Sequence, residues 1–314
     1  MGLNIKMMSL LQIVLLSCLI LIADKVVARD LQEVKAAGVL RHIGIPYANF
    51  VTISPADGKL NEGGLDVDII RGFAVYLGVE YQFVIGRSDN VYGLLTGQNA
   101  QYTDHKIVFG KQEKIQGDLI ADGVTILDWR KNIVDFSDDY FPAGIWLFAR
   151  SDSTLQPIIP SGSILEDIEQ VKKQLNGREV LGRKHSSLDP ALYHLKATGA
   201  QILDSRYDQR PDEMVLSIIK NSAETTLVDV VDGLTALATW SGAIKAIGPI
   251  SEAQRMAVVF PKSSPKLRQA FNTYLKKIRA DGRFNKMVKK HYPEIFNFYP
   301  VYFSKKQIAP KSLR

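Results

Sequence analysis

Residues 117–143 read G-D-L-I-A-D-G-V-T-I-L-D-W-R-K-N-I-V-D-F-S-D-D-Y-F-P-A. The apolar run Leu119-Ile120-Ala121 has the pattern of a short buried strand. Asp122-Gly123 breaks it, and Thr125 opens a polar turn able to cap a short helix. Arg130 follows, then Val134-Asp135-Phe136-Ser137 and an aromatic pair ending at Pro142. An arginine just past a strand edge and a Thr-bearing turn is placed to grip a carboxylate with its two-pronged guanidinium. On chemistry alone, an exposed salt-bridged arginine is the alternative.

Upstream, residues 40–45 read as a strand ending at Pro46-Tyr47-Ala48-Asn49-Phe50. Residues 64–79 carry apolar side chains at three- and four-residue spacing and stop at Gly78, the signature of an amphipathic helix. Asp66 and Asp68 at its start are read as favouring the helix dipole and capping free amides rather than as an acid–base pair. Residues 80–85 form the next strand, giving the β-α-β order of a parallel α/β sheet. Residues 98–116 are polar and irregular and are read as an enlarged surface loop. His105 in that loop has no Cys or second His at ligand spacing, so no metal site and no cofactor are expected.

Downstream, residues 145–150 read as a strand leading out of a first lobe, and residues 164–175 as a helix. Ser186 and Ser187 precede a predicted helix over 191–195, where hydroxyls and free amides suit a carboxylate; simple N-capping by Ser187 is the alternative. Residues 225–231 read as a buried strand carrying Asp229, with Asp232 three residues on. A long helix, an Asp281-Gly282 turn and a further helix toward Tyr292 follow. The aromatics after Tyr292 are expected to dock on the parent lobe.

With 314 residues and 46% hydrophobic content the chain can bury the cores of two domains. A net charge of +6, well mixed, with no arginine-rich helix, gives no nucleic-acid footprint. Lys6, an apolar run over 7–22 and Val26-Val27-Ala28 read as an export signal cleaved before Arg29. Retention as a membrane anchor is the alternative, as is lipid attachment at Cys18, the single cysteine. Cleavage after Ala28 leaves no cysteine for disulfide or thiol chemistry.

The string D-x-x-x-x-G-x-T-x-x-x-x-R-x-x-x-V-D-F-S starting at Asp118, the G-L-D-V-D-I helix start, the G-R-E-V-L-G-R-K-H-S-S run at 177–187 and E-T-T-L-V-D at 224–229 occur in order. Together they resemble the extracytoplasmic solute-binding proteins of the polar amino-acid uptake family, over residues 40–292. The resemblance implies an α/β type 2 periplasmic-binding fold, two lobes each built on a mainly parallel sheet flanked by helices, with two hinge crossings. The implied division is 1–28 signal, 29–148 first part of lobe 1, 149–243 lobe 2, 244–303 return to lobe 1, and 304–314 basic tail. In that family Arg130 would bind the ligand α-carboxylate, assisted by Thr125; Tyr47 and Phe50 would line the pocket; Ser186 and Ser187 would serve from lobe 2; and Asp229 would take the ligand amine, with Asp232 its competitor. Asp122 at the pocket margin, Leu127 in place of a second Thr, and His185 in place of glycine depart from the family pattern.

The function so implied is a periplasmic, non-enzymatic, monomeric receptor that closes on an amino acid or related small carboxylate. It would deliver the ligand to the permease of an ABC-type membrane transporter. Alternatives are a fold-related dehydratase of cyclic carboxylic acids, and a ligand-sensing module like the non-catalytic lobes of lytic transglycosylases. A dehydratase needs a proton donor in the cleft, and no triad or acid pair in the sequence supplies one.

Overall fold

The computed structural model describes residues 28–56, 59–103, 106–205 and 211–304. Residues 1–27, which hold Cys18 and nearly all of the expected export signal, His105 and the tail after Ser304 lie outside the described residues. The first lobe opens with α1 (Leu31–Ala37), β1 (Val39–Gly44), a hairpin of β2 (Thr52–Ala56) and β3 (Lys59–Gly63), α2 (Leu65–Leu77) and β4 (Glu80–Ile85). Three- and four-residue steps turn Leu65, Ile69, Ile70 and Phe73 of α2 into the core, and Gly78 ends the helix in the left-handed region at φ +73°. Gly64 starts it at φ +111°, where a Cβ would stand 2.3 Å from the Phe50 carbonyl oxygen, so only glycine fits.

Next come α3 (Val91–Thr96), β5 (Gln98–Thr103), β6 (Lys106–Gln112), β7 (Leu119–Ile120), α4 (Asp128–Lys131), β8 (Asp135–Phe136) and β9 (Phe141–Ala143). The stretch read as a surface loop is thus the antiparallel hairpin β5–β6. It is largely exposed, with Val108 and Phe109 side by side in β6 rather than alternating with polar residues, so no apolar alternation betrays it; its ring of attachment is Tyr102, stacked 5.7 Å from Trp129.

The chain then builds the second lobe from β10 (Ile145–Arg150), α5 (Ile164–Lys172), β11 (Glu179–Gly182), β12 (Gln201–Asp204), α6 (Pro211–Ile219), β13 (Thr225–Asp229), α7 (Val230–Thr239) and β14 (Ile244–Pro249). It returns through β15 (Gln254–Met256) and β16 (Val259–Phe260) to α8 (Pro265–Ala280), α9 (Arg283–His291), α10 (Ile295–Phe298) and α11 (Pro300–Phe303).

The sheets run β4-β1-β7-β16-β8 and β12-β11-β13-β10-β14. In each, three parallel strands are followed by one that runs against them and a fifth that reverses again, with helices packed on the faces. β10 and β14 pair with each other and belong to the second sheet. The divisions expected at 148/149 and 243/244 therefore fall inside β10 and just before β14, and those strands go with the second lobe. The reason is that β13 pairs along β10 from Ile145 to Ala149, a long-range register that local pattern does not carry. The two crossings lie at β9 and β15, which pair antiparallel as a two-stranded hinge.

Each lobe has its own core. The first gathers Leu40, Phe73, Phe141, Phe260, Phe271 and Tyr274; the second gathers Leu147, Phe148, Val180, Met214, Leu227 and Ile247. The terminal aromatics close the first core, with Phe303 5.8 Å from Phe141 and 4.8 Å from Phe296. A fully buried ring such as Phe141 contributes roughly 2–3 kcal/mol by leaving water. Among the described residues no helix is long and apolar enough to cross a membrane.

Candidate functional site

The turn leaving β7 is held from three sides. Asp122 accepts the Ile45 N–H through Oδ2 at 2.9 Å, which ties it to the segment after β1. Gly123 sits at φ +71°, its missing Cβ giving way to the Phe50 ring 2.8 Å off, and its N–H donates to Asp66 Oδ2 at 2.7 Å. Thr125 forms an antiparallel bridge with Met256 of β15, so the turn rests on the hinge. The Thr125 carbonyl accepts Arg130 Nη1 at 2.7 Å. Arg130, on the single turn of α4, is 8% exposed, lies 5.4 Å over the Trp129 ring, and buries Nε without a hydrogen-bond partner. A buried, pre-oriented guanidinium with an unspent donor is a site for an anion.

Tyr47, Asp122, Thr125 and Arg130 of the first lobe, with Arg183, His185, Ser186 and Ser187 of the second, line a cavity of about 120 Å³. The lobes meet around it. Tyr47 donates its hydroxyl to Asp232 Oδ2 at 2.6 Å, Arg183 Nη2 donates to Ser88 Oγ at 3.2 Å, and His185 Nδ1 lies 3.2 Å from the Tyr102 carbonyl. A hydrogen bond to a carboxylate contributes about 1.5 kcal/mol. Tyr47→Phe is therefore expected to weaken ligand binding about tenfold and to enlarge the ligand-free protein in X-ray scattering. An unchanged radius of gyration and affinity would show that this bond does not hold the lobes together.

Six of the eight expected site residues surround the cavity: Tyr47, Asp122, Thr125, Arg130, Ser186 and Ser187. Phe50 and Asp229 do not line it. Phe50 is fully buried because its N–H bonds back to the Tyr47 carbonyl and turns the ring inward, 5.6 Å beneath Tyr47 and against Phe141 and Tyr292. It supports the lining ring instead. Asp229 is 1% exposed and caps α7 by accepting the Val231 N–H at 3.2 Å. Burial, and after it Asp232, hold its carboxyl well above the usual carboxylate range. Its competitor Asp232 is engaged by Tyr47.

Ser187 caps nothing. The expected helix is two 3₁₀ turns, Pro190–Tyr193 and Leu195–Thr198, broken at His194 in the left-handed region, and Asp189 is the cap through the Ala191 N–H. Ser186 Oγ closes the preceding loop, donating to the Arg183 carbonyl and accepting the Leu188 N–H. His185, where the family pattern has glycine, keeps a glycine-like φ of +62°.

Sequence reasoning gave no binding role to Arg183 or to His185, the latter marked only as a departure from the family pattern, and misread Asp66 as a capping residue. The first two belonged to a string read for its serines. Asp66 makes no capping bond; it takes the Gly123 N–H and the Tyr140 hydroxyl at 2.6 Å, 1% exposed, under the binding turn. Burial, its largest influence, pushes the carboxyl up to about 7; the same cause raises Asp122 to about 6 against the pull of the Ile45 N–H and Arg130. Asp68 instead pairs with Lys290 and His291. Among the described residues no three His, Cys, Asp or Glu side chains gather as a metal site.

The chain is similar to several known proteins. Membrane-bound lytic murein transglycosylase F of Desulfosudis oleivorans is 22% identical over 75% of this chain, which spans only 45% of that protein's length. A probable histidine-binding protein of Neisseria gonorrhoeae is 23% identical over 78% of this chain and 80% of its own. Among solved structures, a mutant of ArgBP from T. maritima superposes with a TM-score of 0.63 at 21% identity, over 84% of this chain and 99% of that one. AbpA of Streptococcus pneumoniae bound to L-arginine gives 0.63 at 18% identity, over 83% and 98%. The ancestral amino acid-binding protein AncCDT-1, a precursor of cyclohexadienyl dehydratase, gives 0.61 at 21%, over 83% and 98%. At these identities the likeness to solved structures is one of fold. The sequence model of bacterial extracellular solute-binding proteins, family 3, matches residues 103–294, more than half of the chain and all of the cavity's second lobe. The chain belongs to the bacterial extracellular solute-binding proteins, family 3.

Proposed function

We propose that this protein is an exported receptor that closes its two lobes on an amino acid or related small carboxylate and hands it to an ABC-type membrane transporter. The observation that carries the reading is Arg130: a guanidinium 8% exposed, fixed by the Thr125 carbonyl, with Nε buried and unspent at a cavity between two lobes. A ligand carboxylate supplies the missing acceptor, and the hinge strands β9 and β15 let the lobes close over it. Its likeness to a probable histidine-binding protein and to AbpA bound to L-arginine supports an amino-acid class of ligand.

The test is a thermal-shift screen of the purified protein against amino acids, 2-oxo acids and aromatic carboxylates. A ligand that raises the melting temperature is expected to lose about a hundredfold in affinity in Arg130→Ala, because a charge-assisted pair in a desolvated site is lost. Retention of tight binding by that variant, or no shift with any carboxylate, overturns the reading.

A second reading rests on Asp122. A carboxyl raised to about 6 beside the cavity keeps part of its proton near neutrality, the state a general acid needs for a dehydratase-type elimination. Consumption of a bound cyclic carboxylic acid during the assay decides for it; recovery of the ligand unchanged decides against it.

A further inference from the structure

The cavity that Arg130 lines is small. Its volume of about 120 Å³ is below the ~150 Å³ of a cavity that holds one benzene molecule, which limits it to a ligand of about five or six non-hydrogen atoms. Glycine and alanine are of that size. Much of the wall is held from behind: Ile45 donates its N–H to Asp122, Thr125 bridges to Met256, and Leu188 is 3% exposed in the core of the second lobe. What the cavity admits is therefore decided at the margin where the lobes meet.

An imidazole stands at that margin. His185 lines the cavity and holds a φ of +62°, in the left-handed region that a glycine enters without strain. Its Nδ1 is 3.2 Å from the Tyr102 carbonyl on the β5–β6 hairpin, and since a carbonyl only accepts, Nδ1 carries the proton. The ring thus reaches from the second lobe to the first. Both of its supports are fixed. On one side the His185 N–H donates to Asp189 Oδ2 at 3.2 Å, and Ser186 Oγ braces the same turn through the Arg183 carbonyl and the Leu188 N–H. On the other, Tyr102 is stacked on Trp129, the neighbour of Arg130.

We propose that His185 sets the upper length of the ligand: its imidazole walls off space that a glycine would leave open, so the receptor takes molecules of the size of glycine, alanine or a short 2-oxo acid. The proposal rests on the receptor reading of the same cavity and deepens it by naming the size class. A longer chain has to push the ring off the Tyr102 carbonyl or part the lobes at Tyr47 and Asp232, and either breaks a hydrogen bond that spans the cleft. Each methylene beyond the fit costs about tenfold in affinity.

The experiment is titration calorimetry of the purified protein and of His185→Gly with glycine, L-alanine, L-2-aminobutyrate, L-norvaline and L-norleucine, and with 2-oxo acids of the same chain lengths. Glycine takes up the backbone conformation of residue 185 freely, so the variant is expected to melt close to the wild type. It also gives up the bond to Tyr102, which weakens every ligand alike, and the ratio of long to short ligand isolates the wall. The wild type is expected to bind its best short ligand at least about a hundredfold more tightly than the six-carbon member of the series, and His185→Gly to shrink that gap to about tenfold or less. Affinity that does not fall with chain length in the wild type overturns the proposal without recourse to the variant, and leaves the receptor reading standing. So does a His185→Gly protein that keeps the wild-type limit. If no member of either series binds while a larger carboxylate does, the size limit falls and the receptor reading stands; if no carboxylate binds, both fall.

Discussion

Asp118→Ala is expected to lower the unfolding free energy by about 4 kcal/mol, the scale for removing one partner of a buried ion pair. The Asp118 side chain is fully buried and receives two arginines. Arg29 donates Nε to Oδ1 at 2.9 Å and Nη2 to Oδ2; Arg41 donates Nη2 to Oδ1 at 2.8 Å and its backbone N–H to Oδ2 at 2.7 Å. The guanidiniums keep only 19% and 23% side-chain exposure, so alanine leaves two largely desolvated cations facing a hole and an orphaned amide. Asp118→Asn keeps the shape and one acceptor oxygen and is expected to cost about half as much. The carboxylate also pins the residue that enters β7, the strand that delivers Asp122, Thr125 and Arg130. Urea denaturation read out on the first lobe measures the loss. A cost below about 1 kcal/mol for alanine would show the arginines re-solvated without strain.

The sequence made α2, α8 and α9 legible because their signals are local: apolar spacing, Gly78 as a stop, Pro265 as a start and Asp281-Gly282 as a turn. The binding turn was legible for the same reason, since Asp122, Thr125 and Arg130 lie within nine residues on one strand exit. What escaped depends on distant partners. β10 and β14 look like strands from their residues, but which sheet receives them is decided by the pairing of β10 with β13, about 80 residues away, and of β14 with β10. The β5–β6 hairpin escaped because its stability comes from each strand's partner and from Tyr102 on Trp129, with little apolar alternation of its own. For Asp229 the side chain's direction was the difficulty. Helix α7 starts at the very next residue, so the carboxylate folds back as a cap instead of reaching into the cavity. Phe50 likewise follows its turn, and the turn follows Gly64, whose bare Cα lets the Phe50 carbonyl approach.

Asp66→Ala and Asp66→Asn are expected to part company as the pH rises. In the folded protein Asp66 titrates at about 7 against an ordinary value of 3.8, chiefly through burial. A raised folded-state value means stability that is fully present below about pH 4 and is lost as pH rises through 7. Asparagine copies the protonated acid: its oxygen can accept the Gly123 N–H and the Tyr140 hydroxyl, and its amide takes the place of Oδ1, which has no partner. Asp66→Asn should therefore match the wild type near pH 4 and exceed it by about 4 kcal/mol at pH 8. Asp66→Ala strands both donors and should fall about 3 kcal/mol below the wild type at pH 5. Its binding turn also loosens at Gly123, next to Asp122, so ligand affinity should fall with it. His42 provides the counter-slope. Burial lowers its imidazole from 6.5 to about 4, a shift whose stabilising share is lost as pH falls through that window. In the wild type the two slopes oppose each other between pH 4 and 6.5, although Asp122 at about 6 adds to the first. With two acids against one imidazole, the wild type should lose stability as pH rises from 4 to 6, and Asp66→Asn, with Asp122 against His42, should be nearly flat there. Thermal unfolding from pH 4.5 to 8 measures all three proteins. An asparagine variant as damaged at pH 8 as the alanine one would mean that Asp66 is charged in the native state. The turn that carries Asp122 would then rest on an ionic bond rather than on a neutral acid.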